Sequence, residues 1–512
     1  MEEEEKKEGK EIEDKEKSEL RKQKLKSWLS DKKNLAFLGI LIFAFIIRLY
    51  YFSLTNNQPL WWDEAEYMSM AKAWAFGYQY NFIPVRPILF SLISAVFLKI
   101  SNTEFLPRFF TILISMAAIV GVYYFGKEMY GKKVGLIASL FMSLIYFNLF
   151  YAFRLLVDIP SLTFSIFSAL FFYKYVKTQS SKYLYIMAIM LGIGTLFRLS
   201  TALFLFAAFI FLLVTDKLNF LKKKETWIAA IIFLIILAPY LIWGYFEFHG
   251  FVISQAGAWN APKDPLGVLF PNLKFYIITS FANALSWPLL IIFIIGLFSM
   301  YKLILGFDIL IKNKDPELKK QFFLLLLIII PIIISAPSIT TPEDRYIIAI
   351  FPAAFILSGA VILKIYNLIA KKTKILAIIL IIALIVWILF SHYQASNTLI
   401  DSKKDSYLQV KQASLWIKEH SNKSATVFTI SWPQNIYYSE RKTYVPSNNE
   451  SEFEQQLKDI KPDFFVISLY EKYYDWAYSY PQEHPDKFEV AQVYYLDVQK
   501  QQPSLIIYRY KS

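Results

Sequence analysis

Residues 34–54 read NLAFLGILIFAFIIRLYYFSL, and a short step later residues 61–67 read WWDEAEY. The first stretch carries Arg48 as its one charge and is long enough to cross ~30 Å of hydrocarbon at ~20 residues per helix. The second sets adjacent carboxylates, Asp63 and Glu64, at the mouth of that span. Ionised groups avoid hydrocarbon, and beside a membrane they usually mark a site or a pathway. A hydrated loop that merely carries two acids is the plainer reading, and it would hold if the pair stood alone. Working outward, apolar runs recur at about 86–100, 107–126, 134–151, 159–176, 183–197, 199–215, 226–246, 286–304, 321–337, 346–365 and 374–393. With 56% hydrophobic residues among 512, the chain reads as an α-helical polytopic membrane protein.

Composition removes several function classes. The absence of cysteine excludes disulfides, thiolate metal sites and cysteine nucleophiles. His249, His392, His420 and His484 are scattered, without the spacing of a metal cluster. The net charge of +13 does not point to nucleic acid, because the lysines lie between apolar runs, where they set orientation in a bilayer.

Those lysines thread the chain. Lys127, Lys132 and Lys133 share one connector, and Lys174, Lys177 and Lys182 the next. Then come Lys217 with Lys222–224, then Lys302, Lys312, Lys314, Lys319 and Lys320, and finally Lys364, Lys371, Lys372 and Lys374. Between them lie lysine-poor connectors at 151–158, around 198, at 247–285 and at 338–345. The positive-inside rule puts the lysine-rich set in the cytoplasm, together with a charged tail over 1–33. The loop bearing Asp63 is then outside. One crossing must separate it from Lys127, so 65–76 and 86–100 read as helices lying at the outer surface. About eleven spans remain over 34–393.

From Gln394 to Ser512 the composition is that of a small soluble domain. Helices are expected at 406–420 and 450–460, and strands at 425–430, 463–469, 488–496 and 504–510. This predicts an α/β domain of roughly a hundred residues on the extracytoplasmic side. The triplets Asn422-Lys-Ser424 and Asn449-Glu-Ser451 fit the glycosylation acceptor pattern and lend that side modest support.

Arginine is the second signal. The inner connectors use lysine, whereas Arg86, Arg108, Arg154, Arg198 and Arg345 fall at or near span ends on the Asp63 side. Where solvation alone is needed lysine serves. Arginine adds a planar fork that grips phosphate bidentately and stays charged in a dry site. Arg345, Arg198, Arg154 and Arg86 are therefore candidate phosphate ligands, while snorkelling or carbonyl capping would account for Arg108 and is the alternative for Arg86. Arg198 lies in a turn too tight to leave the membrane surface, which directs it inward. Arg154 and Asp158, four residues apart, would share a helical face and pair. Arg48 needs a partner or a cavity that the sequence does not name.

The motifs resemble the polytopic glycosyltransferases that use polyprenyl-phosphate sugars. The nearest branch holds the protein O-mannosyltransferases and aminoarabinose transferases, of glycosyltransferase family 39. The matching residues are Trp62-Asp63-Glu64-Ala65-x-Tyr67, Arg86-Pro87, Leu106-Pro107-Arg108, Gly126 to Gly131, Arg154 with Asp158, and Arg345-Tyr346 with Pro352. The resemblance implies a GT-C fold, a lipid-linked sugar donor and inversion at the anomeric carbon. It puts Asp63 and Glu64 at the active site, with Asp158 as a further catalytic candidate. Where the family often has His-Pro-Pro, this chain has Val85-Arg86-Pro87, so a histidine contact to substrate is not carried over.

The chemistry implied is simple. A sugar on a polyprenyl phosphate has a good leaving group, so a carboxylate need only take the acceptor's proton, while cations stabilise the departing phosphate. Asp63 suits the first task, and the arginines suit the second. Tyr67, Trp62 and Tyr346 are candidates for substrate contact. The acceptor, whether glycan, lipid or protein, and the sugar are not written in the sequence. A divalent metal is compatible with such chemistry, but no residue pattern indicates one. The competing class is a transporter or lipid flippase with outer carboxylates. It ranks lower because the charges gather at one face rather than at the midplane.

Overall fold

The structure is a computed structural model of the chain and describes residues 18–20, 22–23, 26–311, 315–496, 499 and 501–511. Most of the charged tail expected over 1–33, together with Lys312 and Lys314, lies outside the described residues.

Among the described residues seven helices are long and apolar enough to cross a membrane: Lys32–Thr55, Phe105–Tyr130, Asp158–Thr178, Lys224–Glu247, Pro316–Ser335, Asp344–Ala370 and the long helix that begins at Lys374. The run expected as one span over 134–151 is instead a helix pair, Lys132–Leu144 and Tyr146–Phe153, bent by 59°. Ser181–Phe197, Leu199–Thr215 and Trp287–Leu303 are shorter apolar helices. The expectation of about eleven spans corresponds to counting the bent pair and these three as crossings as well. Trp62–Phe76 and Leu89–Ile100, expected as helices at the outer surface, are separate helices that pack on each other, and Leu89–Ile100 is a fourth short apolar helix.

Pairings sort the connectors as the charges implied. At one end Lys132 pairs with Asp31, Lys177 with Glu128 at 2.7 Å, and Lys223 with Asp216 at 2.8 Å. Arg86, Arg154, Arg198 and Arg345 collect at the other end, around the helix that carries Asp63 and Glu64.

Two close approaches hold the first spans together. A Cβ on Gly135 would sit 2.5 Å from the Tyr123 carbonyl oxygen, so the Phe105–Tyr130 and Lys132–Leu144 helices meet backbone to backbone, as small residues allow in membranes. Arg48, fully buried, has found its partners. It donates to Ser115 Oγ at 2.7 Å, to the carbonyls of Ala44 and Ser143 at 3.1 Å, and to that of Asn148 at 3.5 Å. Ser143 and Asn148 flank the break at Ile145, where the helical ladder leaves carbonyls unpaired. The cation thus satisfies the bend.

The composition change at 394 falls inside the helix Lys374–Lys403, and the sheet-bearing part follows from Leu408. Its strands are β1 (Thr426–Phe428), β2 (Lys442–Tyr444), β3 (Phe464–Ser468), β4 (Phe488–Tyr495) and β5 (Pro503–Tyr510), in the order β2-β1-β3-β5-β4. β1 runs parallel to β2 and β3, while β5 is antiparallel to β3 and β4. Alternation on β3 sends Phe465 and Ile467 into one core, with Phe453 and Leu457, and Phe464 and Val466 into the other, with Val410 and Ile417, as a strand with both faces covered requires.

This domain sits on the Trp62–Phe76 helix through its own helix Trp432–Ser439. Leu60 N donates to the Tyr438 hydroxyl at 2.9 Å. Lys72 Nζ donates to the Tyr437 carbonyl at 2.8 Å and pairs with Glu440 at 2.7 Å. Tyr437 and Tyr438 share one apolar core with Leu60, Ala65, Met68 and Ala71.

Candidate active site

The site begins with the first turn of the Trp62–Phe76 helix. Glu64 Oε2 accepts from Trp61 N at 2.8 Å, which closes the helix start, and Asp63 stands beside it where the helix dipole favours negative charge. Successive residues on a helix point about 100° apart. Asp63 and Glu64 therefore face different surroundings.

Asp63 faces two guanidiniums. Its Oδ1 lies 2.6 Å from Arg86 Nη2 and its Oδ2 lies 2.7 Å from Arg345 Nη1. Arg86 also donates to Glu66 Oε2 at 2.5 Å and lies 5.4 Å over the Tyr67 ring. Arg345 donates from Nε to Glu343 Oε2 at 2.7 Å, and the Tyr346 hydroxyl donates to Glu343 at 2.9 Å. Arg198 pairs with Asp158 and lies 5.2 Å over the Tyr346 ring. Asp63, Arg345, Tyr346, Arg198 and Asp158 thus form one connected row, drawn from four separate parts of the chain.

Burial pushes the Asp63 carboxyl up, but Arg86 and Arg345 pull it down further, so it is held below the ordinary carboxylate range. Burial wins at Glu66, whose carboxyl is raised despite Arg86. Burial also raises the Tyr67 hydroxyl to about 12. Asp63 is therefore held ionised between its two arginines, and Glu66 is the more readily protonated neighbour.

Arg345, Tyr346 and Arg198 line a cavity among the helices. It also offers the hydroxyls of Ser161, Ser200 and Thr201. Its other walls are apolar, among them Leu162, Ile166, Phe204 and Ile330. Guanidiniums and hydroxyls together with apolar walls suit an amphiphile with an anionic head.

Glu64 and Arg154 lie elsewhere. Both are fully buried. Glu64 accepts from Leu155 N at 2.6 Å and from Arg154 Nη1 at 3.2 Å, and Arg108 Nη1 lies 3.8 Å away. Arg154 further donates to the Lys403 carbonyl at 2.8 Å and lies 4.0 Å over the Trp61 ring. Arg108 bonds the carbonyls of Phe153 and Gln58, and Glu104, which is the carbonyl-capping role its position suggested. The expected Arg154–Asp158 pair does not form. Arg154 is extended, at φ −96° and ψ 143°, and the helix starts only at Asp158, so the four-residue spacing does not bring the two together.

Two residues that flank the row were not singled out by spacing. Glu66 follows Asp63 by three positions, one helical turn, and so shares its face. Glu343 orients Arg345 from two residues earlier. Among the described residues no group of three His, Asp or Glu converges as a metal site.

Comparison with known proteins bears on the fold that holds these residues. The profile of the family described as dolichyl-phosphate-mannose-protein mannosyltransferase matches residues 85–243, a segment that includes Arg86, Arg154, Asp158 and Arg198. No curated protein sequence matches the chain. Among solved structures, ArnT from Cupriavidus metallidurans bound to undecaprenyl phosphate is 11% identical, with a TM-score of 0.65, over 92% of this chain and 97% of that one. The Archaeoglobus fulgidus oligosaccharyltransferase in its apo form is 12% identical, with a TM-score of 0.61, over 86% and 70%. AglB from the same organism, in complex with an inhibitory peptide and a dolichol-phosphate, is 13% identical, with a TM-score of 0.56, over 93% and 74%. The chain is therefore a multi-pass membrane protein with the GT-C glycosyltransferase fold along most of its length, and residues 85–243 carry its match to the mannosyltransferase family.

Proposed function

We propose that this protein is a membrane glycosyltransferase that moves a sugar from a polyprenyl-phosphate donor to an acceptor hydroxyl, with inversion and with Asp63 as general base. The observation that carries the reading is the junction at Arg345. This guanidinium pairs with Asp63 and also lines the largely apolar cavity. The base and the leaving-group site are thus one side chain apart.

In the reaction the acceptor oxygen forms a bond to the anomeric carbon from the face opposite the phosphate. Its proton passes to Asp63, and the C–O bond to the lipid phosphate breaks with its electron pair on phosphate. Arg345 and Arg198 stabilise that charge. Asp158 holds Arg198, Glu343 holds Arg345, and Arg86 with Glu66 holds Asp63 in place. Tyr346 lies beneath both phosphate-facing guanidiniums, and Tyr67 beneath Arg86. Glu64 and Arg154 fasten the first loop to the 151–157 segment, and we assign them no chemical step. The lysine-rich end faces the cytoplasm by the positive-inside rule, so the site and the C-terminal domain work on the extracytoplasmic side.

The test is purified protein incubated with labelled polyprenyl-phosphate sugars and a panel of hydroxyl acceptors. Transfer that depends on Asp63 is expected, and an absence of both transfer and donor cleavage across the panel would overturn the reading. For orientation, the chain has no native cysteine. Ile430→Cys should react with an impermeant thiol reagent on intact cells and Lys223→Cys should not. The opposite labelling would reverse the sides.

A further inference from the structure

The lysine-poor connector over 247–285 holds a continuous helical stretch. Pro265–Lys274 runs without a break into a wide π turn, Phe275–Ser280, and then into Phe281–Ala284. A helix lying on a protein in water turns its apolar side inward and its polar side outward. This one is inverted over 266–280. Asn272, Tyr276 and Ser280, spaced four apart, are buried, whereas Leu266 and Phe270 are 76% and 75% exposed and Ile277 and Ile278 are exposed as well. The preceding helix, Val252–Asn260, exposes Trp259, and Phe251 is exposed just before it.

The polar side fixes where the stretch lies. Asn272 Nδ2 donates to the carbonyls of Ala336 at 2.9 Å and Ile339 at 2.7 Å, just past the end of the span Pro316–Ser335. Asn283 Nδ2 donates to Asp344 Oδ2 at 3.4 Å, and Phe281 packs edge to face on Phe351, with ring centroids 5.8 Å apart. The stretch therefore sits at the depth where a span ends, which is the boundary between hydrocarbon and headgroups. It lies against the segment Asp344–Ile350, which carries Arg345 and Tyr346. The spans that the connector joins expose apolar side chains right up to it, with Ile242 and Phe246 on one and Trp287 and Ile291 on the other. An exposed apolar patch marks a membrane or a partner, and at this depth, between two lipid-facing span ends, the neighbour is lipid.

We infer that residues 265–284 lie in the outer interface of the bilayer, with Leu266, Phe270, Ile277 and Ile278 against the acyl chains of the outer leaflet. Asn272, Tyr276 and Ser280 turn away from lipid into the protein, as polar groups at this depth must. Lys274, on the exposed side, has a stem long enough to carry its ammonium to the lipid phosphates. The connector is thus a membrane-lying wall of the segment that bears Arg345, not a loop in water. Its immersion holds whether or not the protein transfers sugar.

The chain has no native cysteine, so Leu266→Cys, Phe270→Cys and Ile277→Cys each accept one nitroxide label. The full-length protein is reconstituted in phosphatidylcholine–phosphatidylglycerol vesicles. Leu234→Cys, exposed midway along the span Lys224–Glu247, is the lipid standard, and Lys458→Cys, exposed on the soluble domain, is the aqueous one. Power saturation is read with oxygen, which concentrates in hydrocarbon, and with nickel–EDDA, which stays in water. All three connector labels should collide with oxygen severalfold more often than with nickel–EDDA, as the label at 234 does. A ratio like that at 458 would place the connector in water, and poor access to both reagents would mean that protein covers this face. Either result overturns the inference. Phe270→Asp gives a second reading that needs no label. In lipid the aspartate should lower the melting temperature of the reconstituted protein, and an unchanged melting temperature would equally overturn the inference.

Discussion

Asp63 and Glu64 are adjacent carboxylates, both paired with arginine, yet their surroundings are opposites. Glu64 is sealed. Both its oxygens are engaged by Trp61 N, Leu155 N and Arg154, with no access to solvent. Asp63 has one arginine on each oxygen, but its side chain remains 18% exposed and the two guanidiniums 20% and 16%. One group can be reached by a ligand and the other cannot. The comparison teaches that an ion pair beside a membrane is evidence of a site only when it keeps an open side. A closed pair serves the fold.

The sharpest way to break this contrast is Asp63→Asn. The amide keeps size and much of the hydrogen bonding but cannot take a proton, so turnover should fall by about 10²–10⁴-fold while donor affinity moves little. Turnover above about a tenth of wild type would remove Asp63 as base.

Glu64→Gln should do the reverse. It leaves Arg154 buried without its carboxylate, a loss of roughly 3–5 kcal/mol of stability, while the folded fraction keeps near-normal specific activity. Thermal melts paired with turnover per folded molecule read both at once. A stable but inactive Glu64→Gln protein would return Glu64 to the chemistry.

A smaller effect is expected at the residue that joins the two sides. Arg345→Lys keeps a charge but loses the fork, and donor binding should weaken by about 1.5–3 kcal/mol, measured by titration with a polyprenyl phosphate. Normal transfer at low donor concentration would move the phosphate role to Arg198.

The finest test uses pH. Asp63 is held below the ordinary carboxylate range, so its pairing stabilises the folded state at any pH above the unfolded value of ~3.9. That contribution is lost only as the pH falls through the depressed folded value. The melting-temperature gap between wild type and Asp63→Asn should therefore stay flat from about pH 8 to about pH 5 and close below about pH 4. A gap that closes near neutrality would mean that Asp63 is not held down by its arginines.

Much of this was legible in the sequence. Apolar runs located the spans, and strand and helix periods placed six elements of the soluble domain to within two residues, from the helix at Leu408 to the strand ending at Tyr510. Arginine set against lysine found the end of the bundle where Asp63, Arg198 and Arg345 collect. What escaped has physical reasons. The break at Ile145 has no proline or glycine to announce it. Arg154 and Asp158 have helical spacing, but the backbone between them is extended, so a pattern argument paired the wrong partners. Trp432–Ser439 is too short and too polar to show a period, yet it is the helix that brings the domain onto Asp63. The partners of Arg48 are mostly backbone carbonyls, and every residue has one.

That last pairing bears on how the protein is made. Arg48 sits in the first span, and the carbonyls of Ser143 and Asn148 that receive it are 95 and 100 residues further along. When the first span enters the bilayer its guanidinium is unmatched, at a cost of roughly 2.5–3.5 kcal/mol for a central arginine on insertion scales. The bent helix, when it arrives, brings exposed carbonyls that need a donor. Each is a poor guest in lipid alone and a good one beside the other, so the bend becomes a checkpoint of assembly, passed only when the two segments meet.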